Sequence, residues 1–319
     1  MILSNIATQQ NSPRHLEQLA AVCGTYGRAK ALFTLQFFLT VPAALLSAAF
    51  MLFFSGLTVW VVFYSLTVGI LDTVFLDRLQ KSWKKQAAQI QEKFDCEVLG
   101  IPWNHAVAGA GVDSEDVIAA AAAYSRYRNP ERLKDWYPPV VDGLPLPLAR
   151  LICQRANCWW DSSLRKRAAH VLTALLVSEI VIVFGVALGS HNTSVEGLII
   201  AVYAPLAPSV LWTLKERYRQ LDAATTLDSL RAHVESVWQE SVDGDEANAE
   251  TMLLKSRQIQ NLVFAQRASN PLIYDWVNDL IHPNQQQSMR EKAQELVSTA
   301  RNLRGGVCRP DAIIVALAT

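Results

Sequence analysis

The chain has 319 residues, and its 29 lysines and arginines balance its 29 aspartates and glutamates, which leaves a formal net charge of zero. A neutral chain lacks the basic surplus that favours binding to nucleic-acid polymers, so neither DNA nor RNA is an expected partner. The mean hydropathy is only +0.15, because large polar regions dilute two long apolar ones.

Residues 1–30 precede the first of two stretches that contain no lysine or arginine, 31–76 and 168–214. Each stretch is long enough to cross a bilayer twice, because one helical span needs about 20 apolar residues. The pair Ser55-Gly56 divides the first stretch near its middle. The sequence therefore predicts a cytoplasmic N-terminal segment followed by transmembrane hairpin 1 over residues 31–76.

Residues 77–167 form the first long polar segment, predicted to be a cytoplasmic domain and the candidate ligand sensor. A helix is predicted over 113–127, with acids in its first turn and Asp113 or Ser114 as its cap. The stretch Cys96–Ile101 is the only place with a possible strand signal.

The same segment mixes tryptophan, arginine and carboxamide side chains. Aromatic faces stack on bases, and guanidinium groups bind phosphates bidentately, so these residue types suit a small nucleotide. The candidate ligand-binding residues are Trp103, Arg150, Gln154, Arg155, Asn157, Trp159 and Trp160.

A structural role competes with this interpretation. Trp159 and Trp160 stand just before the third predicted span, where tryptophan often anchors a helix at the level of the lipid headgroups. The anchor is the favoured interpretation for these two residues. Arg150 and Arg155 lie further from the span, although an ion pair with a local acid such as Asp161 is an alternative use for them.

Transmembrane hairpin 2 is predicted over residues 168–214, with a polar turn at 189–194. Glu179 stands at the middle of the third span, where an ionisable group is costly and should face a bundle interior or water. It is the candidate pore or gate residue, and a protonated glutamate bonded to a neighbouring helix is the alternative. Pro205 and Pro208 should kink the fourth span, which suits a gating helix, although proline is also common in ordinary spans.

Positive charge flanks both hairpins and is absent from their turns. The positive-inside rule then places both termini and the central segment in the cytoplasm. The flanking residues are Arg28, Lys30, Arg78, Lys81, Lys84, Lys85, Arg165, Lys166, Arg167, Lys215, Arg217 and Arg219.

Residues 215–304 are predicted to form a second cytoplasmic helical domain. It begins with an amphipathic helix over 215–240, and a later helix should start with Asn270 as its cap and Pro271 at its first position. Residues 305–319 form an apolar tail too short to cross a membrane. The predicted fold class is an all-α membrane protein with four transmembrane helices in two hairpins and mainly helical cytoplasmic domains.

Signatures of catalysis and of metal binding are missing. The five cysteines include no C-x-x-C pair, and the sequence holds no glycine-rich phosphate loop, no H-E-x-x-H and no nucleophile elbow. We therefore expect no enzyme activity, no metal and no cofactor.

Four strings carry a resemblance to a known family. With them the chain, over roughly residues 15–300, resembles the SMODS-associated four-transmembrane pore-forming effectors of bacterial CBASS anti-phage systems. The strings are FDCEVLGIPWN (94–104), WYPPVVDGLPLPLARLICQRANCWWDSSLRKR (136–167), APLAPSVLWTLKERYRQLDAATTLD (204–228) and RASNPLIYDWV (267–277).

The resemblance implies a function that residue chemistry alone does not reach. In such systems a partner nucleotidyltransferase senses infection and makes a cyclic oligonucleotide. The effector binds this messenger, assembles or opens as a homo-oligomer, and breaches the bilayer of the bacterial inner membrane. The infected cell then stops growing or dies, a response called abortive infection. The alternatives are an ordinary ion channel or transporter, and a membrane-bound enzyme acting at the cytoplasmic face.

Overall fold

The structure, a computed structural model, describes residues 2–53, 56, 58–189, 203–243 and 249–305. Helices dominate these ranges. No strand forms within them, and a single β-bridge joins Leu3 to Pro145. The predicted all-α class is therefore confirmed.

Long helices organise the molecule. A short helix, α1 (Ile6–Gln10), precedes the long helix α2 (Pro13–Phe53). Helix α3 (Thr58–Leu71) then continues through a π-helical turn at Asp72–Leu76 into α4 (Asp77–Leu99) without a loop. Two more long helices, α7 and α8, pack side by side. The long helices are α2 (Pro13–Phe53), α3 (Thr58–Leu71), α4 (Asp77–Leu99), α7 (Leu146–Gly189) and α8 (Ala204–Asp243).

The remaining elements complete the polar half of the molecule. They connect the long helices or pack across them, and two of them are single 3-10 turns. In chain order they are α1 (Ile6–Gln10), α5 (His105–Ala108), α6 (Ser114–Ser125), the 3-10 turns Pro130–Leu133 and Pro139–Val141, α9 (Ala249–Ser269) and α10 (Asp275–Gly305).

Three of the described helices are long and apolar enough to cross a membrane, not clearly four. They cover Pro13–Met51, Val59–Leu99 and Leu146–Gly185. The fourth predicted span lies partly outside the described residues, because the description resumes only at residue 203, just before α8. Most of the two predicted hairpin turns also lies outside them.

The apolar side chains on these spans point outward. Only 6% of the most apolar stretch of the second span is buried, which suits a surface in contact with lipid rather than water. Large exposed apolar residues on the spans include Phe38, Leu46, Phe50, Trp60, Phe63, Leu66, Ile70, Val177, Val181 and Phe184.

One hydrophobic core joins the N-terminal segment to both long polar segments. Ile6 and Leu19 pack with Phe94 and Leu151, and also with Ile259 from the last third of the chain. The N-terminal segment and both polar segments therefore pack around this common core, and the helices that continue into the predicted spans supply much of it.

Two local predictions are wrong. Cys96–Ile101 forms no strand, because α4 continues to Leu99 and Gly100 ends it in the left-handed conformation that glycine favours (φ +61). The helix predicted from Asn270 begins instead at Asp275. Side chains of other helices bind the carbonyls of residues 270–272, so this stretch does not enter the helical hydrogen-bond pattern. The predicted helix at 113–127 does form, with Asp113 at its cap position.

The contact between α2 and α6 depends on a glycine. A Cβ atom at Gly24 would lie 2.2 Å from the carbonyl oxygen of Ala120, whereas a Cβ at Gly27 meets nothing within 4 Å. Backbone cannot yield as a flexible side chain does. The close approach of α6 to α2 therefore requires glycine at position 24.

We expect Gly24→Ala to destabilise the protein by about 1–3 kcal/mol through overpacking. Gly27→Ala is the matched control, since it should stabilise α2 by about 0.5–1 kcal/mol through helix propensity. Unfolding midpoints of the detergent-solubilised variants, followed by circular dichroism, measure the difference. Equal midpoints for the two variants would contradict the assigned contact.

Candidate ligand-binding cavity

A cavity of about 790 Å³ lies where α2, α6, α7, α9 and α10 converge. Its volume falls within the range of roughly 300–1,000 Å³ that is typical of small-molecule sites. The cavity wall on α2 runs from Val22 to Ala31, the first residue of the apolar stretch. The cavity thus reaches the start of the first predicted span.

The cavity wall carries an excess of positive charge. Seven basic and three acidic side chains line it, together with seven tyrosines and tryptophans. Burial raises the pKa of the Cys23 thiol to about 11, so this thiol adds no negative charge near neutral pH. The basic residues are Arg28, Lys30, Arg128, Arg132, Lys134, Arg165 and Arg267, and the aromatic residues are Tyr26, Tyr124, Tyr127, Trp136, Tyr137, Trp160 and Tyr274.

A buried carboxylate supports one side of the cavity. Asp95 on α4 is fully buried, accepts a hydrogen bond from the Tyr137 hydroxyl (2.6 Å) and is in contact with the Arg267 guanidinium. Burial alone would lower the pKa of Arg267, but the surrounding acidic groups, Asp95 foremost and then Tyr137 and Glu92, together more than offset it, and that pKa lies above its ordinary value. Asn157 donates to the Tyr137 hydroxyl at 3.0 Å and so connects this network to α7.

A second buried acid extends the network. Glu92, one turn before Asp95, accepts from Arg257 at 2.5 Å and from the Gln260 amide at 2.8 Å. The same amide also donates to Asp95 at 2.8 Å. Gln154 in turn donates to the Gln260 side-chain oxygen at 3.1 Å. Helices α4, α7 and α9 are therefore joined by one nearly continuous polar network.

The segment of residues 270–274, here called the linker, connects α9 to α10 and borders the cavity. Its carbonyls accept hydrogen bonds from three buried side chains of three different long helices. Lys84 donates to Asn270 at 3.1 Å, Arg165 to Pro271 at 2.9 Å, and Gln220 to Leu272 at 2.8 Å. Burial lowers the pKa of Lys84 to about 8. The linker is thus fixed by α4, α7 and α8 together.

Asp275, the first residue of α10, bridges two cations of the cavity wall. Its carboxylate is in contact with the Lys30 ammonium of α2 and lies 3.4 Å from the guanidinium of Arg128, three residues after the end of α6. Lys30 is the last basic residue before the first apolar stretch. These two ion pairs, here called the latch, lie on the cavity wall where α2 approaches the first predicted span.

An aromatic cluster adjoins the latch. The Tyr274 ring lies 5.0 Å from the ring of Phe33 and 6.1 Å from that of Phe37, both on α2. Trp212 of α8 lies 5.8 Å from each phenylalanine ring. Tyr274, the residue beside Asp275, therefore packs on the first span, and the same two phenylalanine rings contact α8.

Two of the seven predicted ligand-binding residues, Asn157 and Trp160, lie on the cavity wall. Among the other five, Arg150 is buried and donates to the carbonyls of Leu99 (2.6 Å) and Gly100 (2.8 Å), which satisfies the end of α4.

The remaining four lie elsewhere. Gln154 is fully buried in the polar network described above. Arg155 pairs with Glu235 of α8 at 2.6 Å, and the Trp103 indole donates to the carbonyl of Gly109 at 2.9 Å. Trp159 is half-buried on α7, outside the cavity wall. Nucleotide binding by any of the seven stays a prediction.

The candidate gate residues lie between α7 and α8. Glu179 is buried and accepts hydrogen bonds from Ser209 (2.5 Å) and Thr213 (3.2 Å) of α8. Pro208 lies inside α8, and Pro205 lies at its beginning. Both prolines line a smaller cavity of about 240 Å³ between α2, α3 and α8. Within one chain, Glu179 thus joins two predicted spans.

Sequence reasoning did not identify Lys30, Arg128, Arg165 or Asp275 as site residues. Their separation along the chain gave no local signal. In the part of the chain that the structure describes, no group of three or more His, Cys, Asp or Glu side chains is arranged to hold a metal ion. The basic and aromatic groups on the cavity wall are of the kinds that bind phosphates and stack on bases.

Comparison with known proteins gives a consistent result. The family model described as the SMODS-associating 4TM effector domain matches residues 4–296. A probable CBASS effector molecule of Bacillus cereus (strain VD146) is 24% identical over 277 residues, which cover 84% of this chain and 90% of that protein. No solved structure matches the chain.

We expect Asp95→Asn to lower the free energy of unfolding by about 3–5 kcal/mol, because Arg267 would be left buried without its counter-charge. The matched control is Asp77→Asn on the same helix, which breaks an exposed pair with Lys81 (2.6 Å) and should cost less than about 1 kcal/mol. Chemical unfolding in detergent, followed by tryptophan fluorescence, compares the two. A loss no larger than that of the control would show that Asp95 does not support the cavity.

Proposed function

The chain belongs to the SMODS-associating 4TM effector family, and on that premise we propose that it is a cyclic-oligonucleotide-activated membrane effector of anti-phage defence. A partner nucleotidyltransferase makes the messenger, and the effector responds by opening a pore or disrupting the bacterial inner membrane. The termini and the cavity face the cytoplasm, where the messenger is made. The activity is non-enzymatic.

The observation that carries this proposal is the cavity. Four more basic than acidic side chains line it, and a cyclic oligonucleotide carries one negative charge for each phosphate. Charge-assisted hydrogen bonds from guanidinium groups are about twice as strong as those between neutral groups. A small anion with several phosphates is the class of ligand that such a wall favours.

The aromatic and amide side chains suit the rest of the messenger. Tyr127 is 88% exposed and has no packing role to keep it from stacking on a base. Each base stacked on an aromatic side chain contributes about 1–3 kcal/mol. Amides such as those of Asn157 and Asn278, which also line the cavity, suit hydrogen bonding to base edges.

The position of the cavity supports its coupling to the membrane. Helices α2 and α7 form part of its wall and continue without a break into predicted spans. A rigid helix transmits a shift at one end to the other. Four spans are few for a transport pathway within one chain, so we expect several copies arranged around one axis.

We expect Arg132→Gln to weaken messenger binding by roughly 10- to 100-fold, the loss of one charged hydrogen bond of about 1.5–3 kcal/mol. Arg132 lines the cavity, is exposed, and makes no ion pair within the described part of the chain. Arg301→Gln, an exposed arginine of α10 away from the cavity, is the control. Calorimetric titration of purified protein with a panel of cyclic di- and trinucleotides measures the change.

If no member of the panel binds to the wild type or releases dye from vesicles that contain it, the proposed messenger response is wrong. Turnover of a nucleotide or lipid substrate by the purified protein would instead favour a membrane-bound enzyme. Equal affinities for Arg132→Gln and Arg301→Gln would place the messenger outside this cavity.

We also expect Glu179→Ala to change membrane leak and toxicity while expression persists. The substitution removes the two hydrogen bonds that join α7 to Ser209 and Thr213 of α8. Ser178→Ala is the control, because the Ser178 hydroxyl bonds only within its own helix. Growth curves and dye release from vesicles measure the effect, and wild-type behaviour of Glu179→Ala would end its proposed role in the pore.

A further inference from the structure

We propose that Asp275 occupies the place of a messenger phosphate, and that the messenger activates the effector by taking Lys30 and Arg128 away from this carboxylate. The inference rests on the proposed function and names the trigger within the same cavity. It assigns separate roles to the three residues of the latch. Lys30 and Arg128 bind phosphate, and Asp275 holds the resting state.

The first step of the proposed activation depends on the charges of the latch. Both cations line the cavity and both face one carboxylate, which is about half exposed (47%). A phosphate with its negative charge and several acceptor oxygens offers each cation a stronger partner than half of one carboxylate. An anion in the cavity and Asp275 therefore compete for the same two side chains.

The consequence of displacement follows from the neighbours of Asp275. Asp275 directly follows the linker, whose carbonyls are bound by Lys84, Arg165 and Gln220. Loss of the latch frees the beginning of α10, and with it the end of the linker. Helices α4, α7 and α8 all contact this non-helical linker.

The aromatic cluster carries the change to the membrane. Tyr274 packs on Phe33 and Phe37 of the first span, and these rings contact Trp212 near the end of the fourth predicted span. A shift of Tyr274 removes a packing partner of Phe33 and Phe37, the two rings through which α2 contacts Trp212 of α8 at this level. Contacts between spans are thereby coupled to the state of the cavity.

The test compares variants that break the latch from its two sides. Asp275→Asn should leak without any nucleotide, by about 5-fold over wild type, the factor expected for about 1 kcal/mol of lost ion pairing. It should also bind a cyclic dinucleotide roughly 10-fold more tightly, because a competing like charge is gone. Lys30→Met should likewise leak without nucleotide but bind more weakly, because it removes a phosphate partner.

Each variant is reconstituted in vesicles of phosphatidylethanolamine and phosphatidylglycerol, and release of a trapped dye is recorded without and with the panel of cyclic nucleotides. Asp275→Glu keeps the charge and should stay closed. Glu240→Gln breaks an exposed pair with Lys255 between α8 and α9, outside the cavity (2.8 Å), and should behave as wild type. Circular dichroism confirms that the variants are folded, and Lys30→Met replaces Asp275→Asn if that variant is not.

The outcomes separate the two proposals. A leaking Asp275→Asn with raised affinity, beside a leaking Lys30→Met with lowered affinity, supports the latch. A wild type that opens with nucleotide, beside an Asp275→Asn that stays closed and binds with unchanged affinity, overturns the latch and leaves the proposed function standing. A wild type that neither binds nor responds to any nucleotide overturns the proposed function itself.

Discussion

A bilayer accepts a polypeptide only if its backbone polar groups are satisfied within the chain, and this constraint shapes more than the spans. Because the helix is the solution inside lipid, the chain crosses as helices, and these helices do not stop at the membrane boundary. Helix α2 runs from Pro13 to Phe53, and α7 runs from Leu146 to Gly189. At one end these two helices have the apolar surface that suits lipid, and at the other end they form part of the cavity wall. The cavity wall and the predicted membrane spans are therefore two ends of the same helices.

The linker of residues 270–274 is the complementary feature, a non-helical segment buried among the long helices. Buried carbonyls require hydrogen-bond partners, and here side chains of Lys84, Arg165 and Gln220 supply them. The depressed pKa of Lys84 shows that this arrangement carries a burial cost. A segment held by side chains rearranges without breaking the hydrogen bonds of a helix backbone, unlike the long helices that surround it.

The sequence predicts the architecture well where local patterns decide it. Stretches without lysine or arginine locate the membrane segments, and the helix at 113–127 follows from its composition. The two buried acids could also have been predicted from the sequence. Glu92 and Asp95 lie on the same helical face as Ala88 and Leu99, and acids on an apolar face indicate cationic partners. The cavity could not have been predicted from the sequence, because Lys30, Arg128 and Asp275 lie about 100 residues or more apart and meet only in the fold. Residue type alone was a poor guide for two arginines. Arginine is typical of phosphate sites, but Arg150 bonds a backbone carbonyl and Arg155 pairs with an acid.

The cavity wall includes Val22 near the beginning of the chain and Met289 near its end. During synthesis the N-terminal parts emerge first, so the ribosome delivers all the predicted membrane segments before it delivers α9, the linker and Asp275. Every nascent chain thus has its predicted spans before the rest of the molecule is complete. Under the proposed function, a cell that makes this protein without harm tolerates that interval. Inserted spans alone are then insufficient to breach the membrane, and the proposed killing depends on the completed wall of the cavity.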